Sequence, residues 1–399
     1  MKRLIAVIAL LPLTCSTTAA SRAVAAPGGR VNAGYPGKST GLIHALQQAN
    51  ATLARMAGHK QFSGSVLVAR RGSLLLSKGY GMADRKRRIP DTAQTQYRIG
   101  TTTNQFTALA VLQLQAAGKL HVQDHVCSYV PQCPKAWRPI TIHQLLTHTS
   151  GMDNFPAQFD PGKPMTPARL VAAAKATPLL ARPGSTWSYS NLGYDVLGFI
   201  IEKVSHRSYG GYLQAHIFAP LKMSDSAYFF QARPRRLAVG YADAYSQSDS
   251  VDMSNAFSAA GVYSTVDDLY RWDRALSDAA VVPPALVGTM FASYVTICRN
   301  NCPVPGDPPE SGYTTSVSRD GYGYGWGIAR LQPSHHRLFG SAGGFSGGLA
   351  YNGVYPDDRV EIIVLTNQDD ADIAGIVALL QRAVLDSPRL SVSTTNVIR

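Results

Sequence analysis

Charge is scarce in this sequence: 16% of its residues are Asp, Glu, Lys or Arg, against 45% that are apolar. That balance excludes the charge-rich, core-poor composition of a disordered chain. A length of 399 residues is enough for one large domain or two intimately joined ones with a real core. Long apolar runs are missing too. The longest at the N-terminal end, Leu4 to Leu13, has ten residues, about half of the ~20 needed to cross a bilayer. Met1-Lys2-Arg3 precedes it, and Ala23-Val24-Ala25 followed by Ala26 supplies the small residues that a signal peptidase reads. Residues 1–25 are therefore expected to be a removable export signal rather than an anchor. Pro12-Leu13-Thr14 is a poor context for lipidation of Cys15.

Cysteine is also sparse. Beyond the signal it occurs as two close pairs, Cys127 with Cys133 and Cys298 with Cys302, which in an exported chain are expected to form two local disulfides. Neither pair has zinc-ligand spacing, so no metal is expected. Acidic residues are outnumbered, 25 to 38, giving a formal charge of +13 that falls to +10 when Lys2, Arg3 and Arg22 leave with the signal. Such a balance favours adhesion to anionic surfaces such as envelope polymers. Nucleic-acid binding is not expected. Arg85-Lys86-Arg87-Arg88 and Arg233, Arg235 and Arg236 are short clusters of the kind that make solvated faces, and export removes the usual nucleic-acid partners.

Residues 26–41, with Pro27, Gly28, Gly29 and Gly34, read as a flexible lead-in, and the fold is expected to start near Leu42. Ser65 to Arg70 and Ser73 to Tyr80 flank Arg71-Gly72 as a β-hairpin. Further strands are expected over Tyr324 to Leu331, Gly348 to Tyr355 and Val360 to Thr366, with a turn at Pro356-Asp357-Asp358. The middle of the chain is helical. Asn104 to Ala117 is apolar nearly all round and stops at Gly118, as a buried helix would. Leu197, Ile200, Ile201 and Val204 recur at helical spacing, as do Leu269, Trp272 and Leu276 after a Ser264-Thr265 cap. A last helix spans Ile373 to Leu385. These elements predict an α/β (α+β) fold. An antiparallel sheet comes from both ends of the chain, 42–98 and 321–385, flanked by helices, with a mostly helical insertion over 99–320. Cys298 to Tyr322 reads as a long loop, and 386–399 as a disordered tail.

Four motifs of modest individual weight follow in order: Thr141-Ile142-His143-Gln144-Leu145-Leu146-Thr147-His148-Thr149-Ser150-Gly151, then Tyr189-Ser190-Asn191, then Ala260-Gly261-Val262-Tyr263-Ser264-Thr265 before a helix, then Val364-Leu365-Thr366-Asn367. With them the chain, from about Leu42 to Leu385, resembles the serine β-lactamase and penicillin-binding-protein superfamily. The nearest branch is that of class C β-lactamases, D-alanyl-D-alanine peptidases and related esterases. The resemblance implies a β-lactamase/transpeptidase-like fold and an acyl-enzyme chemistry. A serine at the N-terminus of the buried helix attacks an acyl carbon, and a lysine one helical turn later helps take its proton.

The positions that match are Thr101 and Asn104, in the stretch Arg98-Ile99-Gly100-Thr101-Thr102-Thr103-Asn104. No S-x-x-K occurs anywhere in the chain. The resemblance makes Tyr189 a proton-transfer partner of the nucleophile and Asn191 a residue that helps place a substrate amide. Its third element, Lys or His, one residue, then Gly, is matched by Gly340-Ser341-Ala342-Gly343-Gly344. Ser341 thus stands in the charged position, while the N–H groups of Gly344 and Thr101 could still form an oxyanion hole. His148 falls in a segment that the resemblance makes a structural turn, and His335 and His336 receive no role. No cofactor is implied.

Threonine keeps a hydroxyl but fixes χ1 and crowds the line of attack, and asparagine cannot accept the proton. The expectation is an exported pseudoenzyme whose cleft binds a peptide-like, ester or peptidoglycan-derived ligand or a protein partner. The alternatives are a slow acyl hydrolase with Thr101 as nucleophile and Tyr189 as base, and a protein that binds envelope polymers through its charge.

Overall fold

The computed structural model describes residues 40–157, 160–230, 234–278, 282–297, 317–331 and 334–386. The expected signal, nearly all of the lead-in and of the tail, Cys298 and Cys302 with most of their loop, and Arg233 lie outside the described residues.

One large sheet organises the chain. Its strands are β1 (Gly64–Arg70), β2 (Ser73–Tyr80), β3 (Val317–Tyr322), β4 (Gly327–Leu331), β5 (Arg337–Phe345), β6 (Gly348–Tyr355) and β7 (Val360–Thr366). They lie in the order β2-β1-β7-β6-β5-β4-β3, and every neighbouring pair is antiparallel. The first and last strands pair directly, Gly64 opposite Thr366 and Arg70 opposite Val360. The β1–β2 hairpin turns on Arg71 and Gly72, both at positive φ (52° and 77°), the signature of the turn whose twist suits a two-residue hairpin.

From Ile362 to Leu365 β7 is apolar without a break because the sheet is covered on both faces. Val360, Ile362 and Val364 pack with α1 (Thr40–Gly58) and α5 (Ile373–Leu385) through Leu46, Leu53, Leu380 and Val384. Ile363 and Leu365 point the other way, as the two-residue period of a strand requires. They join α2 (Asn104–Ala116) and α4 (Val266–Asp278) through Leu109, Leu269 and Trp272. Helix α2 is buried nearly all round and ends at Gly118 in the left-handed region (φ 65°). Helix α3 (Asn191–Ser205) packs on it from the helical side. Thr265 caps α4, its Oγ1 accepting from Asp268 N at 3.1 Å.

Three details differ from the sequence reading. The strand expected over Tyr324 to Leu331 begins only at Gly327, as β4, because the glycine-bearing segment 323–326 turns the chain, and the end of the loop expected over Cys298 to Tyr322 is instead strand β3. Helix α1 was not anticipated, although Leu42, Leu46, Ala49 and Leu53, all buried, recur at helical spacing. The Arg85-to-Arg88 cluster is not wholly a solvated face: the Arg85 guanidinium lies 3.8 Å from the centre of the Tyr241 ring and donates to Gln368 Oε1 at 2.8 Å. Cys127 and Cys133 are joined by a disulfide.

Candidate active site

The chain enters α2 through a tight 3-10 turn, Gly100–Thr103. Threonine is a common N-cap residue, but Thr103 is itself helical (φ −53°, ψ −31°) and makes no side-chain cap bond. Its Oγ1 accepts instead from Val262 N at 3.2 Å, so the hydroxyl ties the turn to strand Val262–Ser264. Strand β5 lies hard against the same turn. A Cβ on Gly343 would stand 2.2 Å from Ile99 O and 2.8 Å from Thr101 N, an approach that a bare glycine alone permits. On the other side, Gly325 (φ 77°) presses on the start of α2, where a Cβ would stand 2.8 Å from Asn104 O. The beginning of α2 is thereby clamped between β5 and the β3–β4 turn.

Four positions separated widely in sequence meet in one cleft: Thr101, Asn104, Tyr189 and Ser341. Its volume is about 70 Å³, room for a few water molecules or a small group. Thr101 Oγ1 donates to Ala342 O at 3.2 Å. Asn104 Nδ2 donates to Tyr189 Oη at 2.8 Å, while its Oδ1 is buried without a hydrogen-bond partner. Ser341 is buried, directly opposite Asn352 of β6. Asn191 opens α3, its N–H donating to Asn154 Oδ1 at 3.1 Å and its own Oδ1 buried and unpartnered. Gly343 and Gly344 are not on the cleft wall itself; they form the clamp. A Cβ on Gly100 would stand 2.8 Å from Gly344 N, so the peptides that carry the two expected oxyanion donors adjoin one another.

Burial pushes the Tyr189 hydroxyl up to about 12, a shift that its hydrogen bonds with Thr101 and Asn104 only partly oppose. At pH 7 the phenolate fraction is then on the order of 10⁻⁵. Behind Tyr189 sits His148, fully buried at positive φ (55°), with its ring 4.2 Å from that of Tyr189. His148 Nδ1 accepts from Ser190 N at 3.1 Å, so the ring proton is on Nε2 and is donated to Tyr322 Oη, 3.1 Å away. Desolvation pushes its pKa down to about 3, and the ring stays neutral. His148 is thus a positioning residue that holds the Tyr189-Ser190-Asn191 triplet.

Trp187 and Tyr322 also line the cleft. Neither was singled out in the sequence. Trp187 offered only its place two residues before Tyr189, and Tyr322 offered no signal. His336 lies outside the cleft, where its Nδ1 meets Asp358 Oδ2 at 2.5 Å.

Chemically, the cleft offers a hydroxyl and a neutral phenol, and the Gly344 peptide lies beside it against Gly100. Among the described residues that line it, none carries a side chain that is charged at neutral pH. Proton acceptance from Thr101 therefore has no evident agent.

The sequence model of one family, described as Beta-lactamase, matches residues 49–384. The Bacillus subtilis protein PbpX is 32% identical over 235 residues, 58% of this chain and 59% of that one, so the match spans less than two thirds of that relative. A penicillin-binding protein of the same organism is 29% identical over 342 residues, 80% of this chain and 71% of the relative. Among solved structures, the octameric penicillin-binding protein homologue from Pyrococcus abyssi superposes with a TM-score of 0.73 at 26% identity, covering 86% of this chain and 77% of the other. With a match that runs from the first helix to the last, on a sheet and helix arrangement shared with that neighbour, the chain belongs to the Beta-lactamase family and has its serine-hydrolase fold.

Proposed function

We propose that this chain is an exported, catalytically impaired member of its family, whose cleft binds a peptide-like, ester or peptidoglycan-derived ligand or a protein partner without turning it over. One observation carries the reading: Asn104 occupies the lysine's place and is engaged with a neutral Tyr189, so nothing beside Thr101 is poised to take its proton. A positioned acid–base group is worth about 10² to 10⁴ in rate, and dismantling a comparable triad costs on the order of 10⁶. The test compares the wild type with Thr101→Ser/Asn104→Lys/Ser341→His on a panel of simple esters. Turnover by the restored protein alone supports the reading. Wild-type turnover that Thr101→Ala abolishes overturns it.

The meeting of Thr101 and Tyr189 in one cleft favours a second reading, a slow acyl hydrolase with Thr101 as nucleophile and Tyr189 as base. It requires a covalent adduct on Thr101 after incubation with a phosphonate probe, read by mass spectrometry of the peptide that contains it.

A further inference from the structure

Behind the cleft, four side chains from three elements form one buried polar network. Gln105 follows Asn104 on α2, Trp272 and Asp273 lie on α4, and Asn352 lies on β6 directly opposite Ser341. All four are 0% exposed. Gln105 Oε1 accepts from Trp272 Nε1 at 2.7 Å, and Asn352 Nδ2 donates to Asp273 Oδ1 at 2.9 Å and to Gln105 Oε1 at 3.4 Å. Cross-strand partners share a face of the sheet, so Asn352 stands beside Ser341. Around the carboxyl group the network is short of donors. Asp273 Oδ2 and Asn352 Oδ1, the remaining oxygens of the two groups that the 2.9 Å bond joins, are buried without a partner, as is Glu361 Oε2 on β7. The unpartnered donor within the network is Gln105 Nε2.

Nothing beside Asp273 supplies a counter-charge. Among the described residues no cation is bonded to it: Arg271 pairs with Asp268, and Arg274 with Asp278. Helix α2 has no ionisable side chain, β1 contributes apolar Leu67 and Ala69 to this face, and β6 sends Tyr351 and Tyr355 to the other one. From β7 comes a second acid, Glu361, with Arg359 and the Arg274–Asp278 pair around it, and Tyr270 of α4 is their other titratable neighbour. We propose that Asp273 is held in the folded chain as the uncharged acid and is a positioning residue for the cleft, accepting from Asn352 at Oδ1 and donating the proton on Oδ2 to Asn352 Oδ1. One proton then satisfies both orphan oxygens of the pair. An ionised carboxylate in this place has a single hydrogen bond, no cation and another acid for a neighbour, and a buried charge is not sustained on those terms. Desolvation pushes the carboxyl well above the ordinary carboxylate range; the Asn352 bond opposes that shift and Glu361 adds to it. Two bonds rather than one fix the plane of the Asn352 amide, and so hold the part of β6 that backs Ser341 against α4. Because the tie is uncharged, it puts no negative charge behind the neutral cleft.

The test follows denaturant unfolding of the wild type, Asp273→Asn and Asp273→Leu between about pH 5 and pH 7. Neither variant titrates at position 273, and His148 and Glu361 are common to all three proteins, so ratios of unfolding constants isolate Asp273. A carboxyl whose pKa is raised on folding stabilises fully below its unfolded value and loses that contribution as pH rises toward the folded one. The unfolding constant of the wild type relative to either variant should therefore rise about tenfold per pH unit. If one variant does not fold, the other gives the same slope. A second readout separates positioning from general stability. Backbone hydrogen exchange in the peptides that contain Asn104 and Ser341, referenced to the α5 peptide, should accelerate at least about tenfold in Asp273→Leu. In Asp273→Asn, whose amide offers the same acceptor and donor, it should stay within about threefold of the wild type.

A ratio that stays flat over this range means that Asp273 is ionised in the folded chain, with a bound cation or water in place of the proton, and overturns the inference. Exchange near Asn104 and Ser341 that is equally fast in the two variants overturns the positioning role.

Discussion

Asn104 donates through Nδ2 to the hydroxyl of Tyr189 at 2.8 Å, so the residue in the lysine's position holds the tyrosine without charging it. A lysine there would bring a cation to Oη and favour the phenolate; an amide cannot. Tyr189→Phe removes the partner and leaves the Asn104 amide wholly unpaired in a buried place. The expected loss is about 1–3 kcal/mol of stability, measured by denaturant unfolding, with no change in any residual cleavage of p-nitrophenyl acetate. A tenfold or greater fall in that cleavage would favour the slow-hydrolase reading.

His148 makes the fold sensitive to acid. Its pKa in the folded chain is about 3, against 6.5 for the ordinary side chain. Between those values the unfolded chain binds a proton that the folded one refuses. The stabilisation is therefore complete above pH 6.5 and is lost as pH falls through about 3. The shift corresponds to something on the order of 5 kcal/mol at the acid end. His148→Phe keeps a ring against Tyr189 but cannot titrate. Unfolding free energies measured from pH 4 to 7 should rise with pH less steeply in the variant, which should also be the less stable protein at pH 7.

Glu361 acts in the opposite sense. It lies on β7, 3% exposed, with Oε2 lacking a hydrogen-bond partner. Burial pushes its pKa up to about 7 from 4.5, helped by Asp278 and opposed by Arg274 and Arg359. Its contribution is present below pH 4.5 and is lost as pH rises through 7. Asp91, pushed up to about 6 by burial, has the same sign over a lower range. Glu361→Gln should therefore gain stability relative to the wild type above pH 7, by up to about 3 kcal/mol, and lose that advantage at pH 4.5. A variant curve parallel to the wild type over this range would show that Glu361 does not titrate there.

The clamp on α2 predicts a contrast between adjacent glycines. Gly343→Ala drives a methyl into Ile99 O, 2.2 Å from the ideal Cβ, whereas Gly344→Ala meets only the flexible Leu349 side chain at 3.3 Å. The first should destabilise by more than about 2 kcal/mol and the second by less than about 1 kcal/mol, as read from thermal unfolding. Equal effects would mean that β5 can shift away from the helix at little cost.

Much of the sheet was legible because its strands carry simple local signals: the Arg71-Gly72 turn, the continuous apolar run of β7 and the segment Gly348–Tyr355. Strand β5 was harder. Its sequence Arg337-Leu338-Phe339-Gly340-Ser341-Ala342-Gly343-Gly344-Phe345 has little alternation, and its glycines serve the contact with α2 rather than strand propensity. The positions of Thr101, Asn104, Tyr189 and Ser341 followed from the order of motifs along the chain. Their hydrogen bonds did not. That Thr103 would bond across to Val262 instead of capping α2, or that Trp187 and Tyr322 would complete the wall, depends on tertiary neighbours that no local pattern encodes.

The pairing of β1 with β7 also sets a schedule. Gly64 and Thr366 are partners, and at ~5–20 residues per second the second is synthesised roughly 15–60 s after the first. For that interval the β1–β2 hairpin waits for its inner neighbour, and α2, apolar on nearly every side, lacks the strands that cover it. So large a sequence separation between partners makes closure of the sheet a late and slow event. The cleft, walled by β5, comes into being only when most of the chain has been made. Until then the uncovered apolar faces of the hairpin and of α2 are open to aggregation and to chaperones.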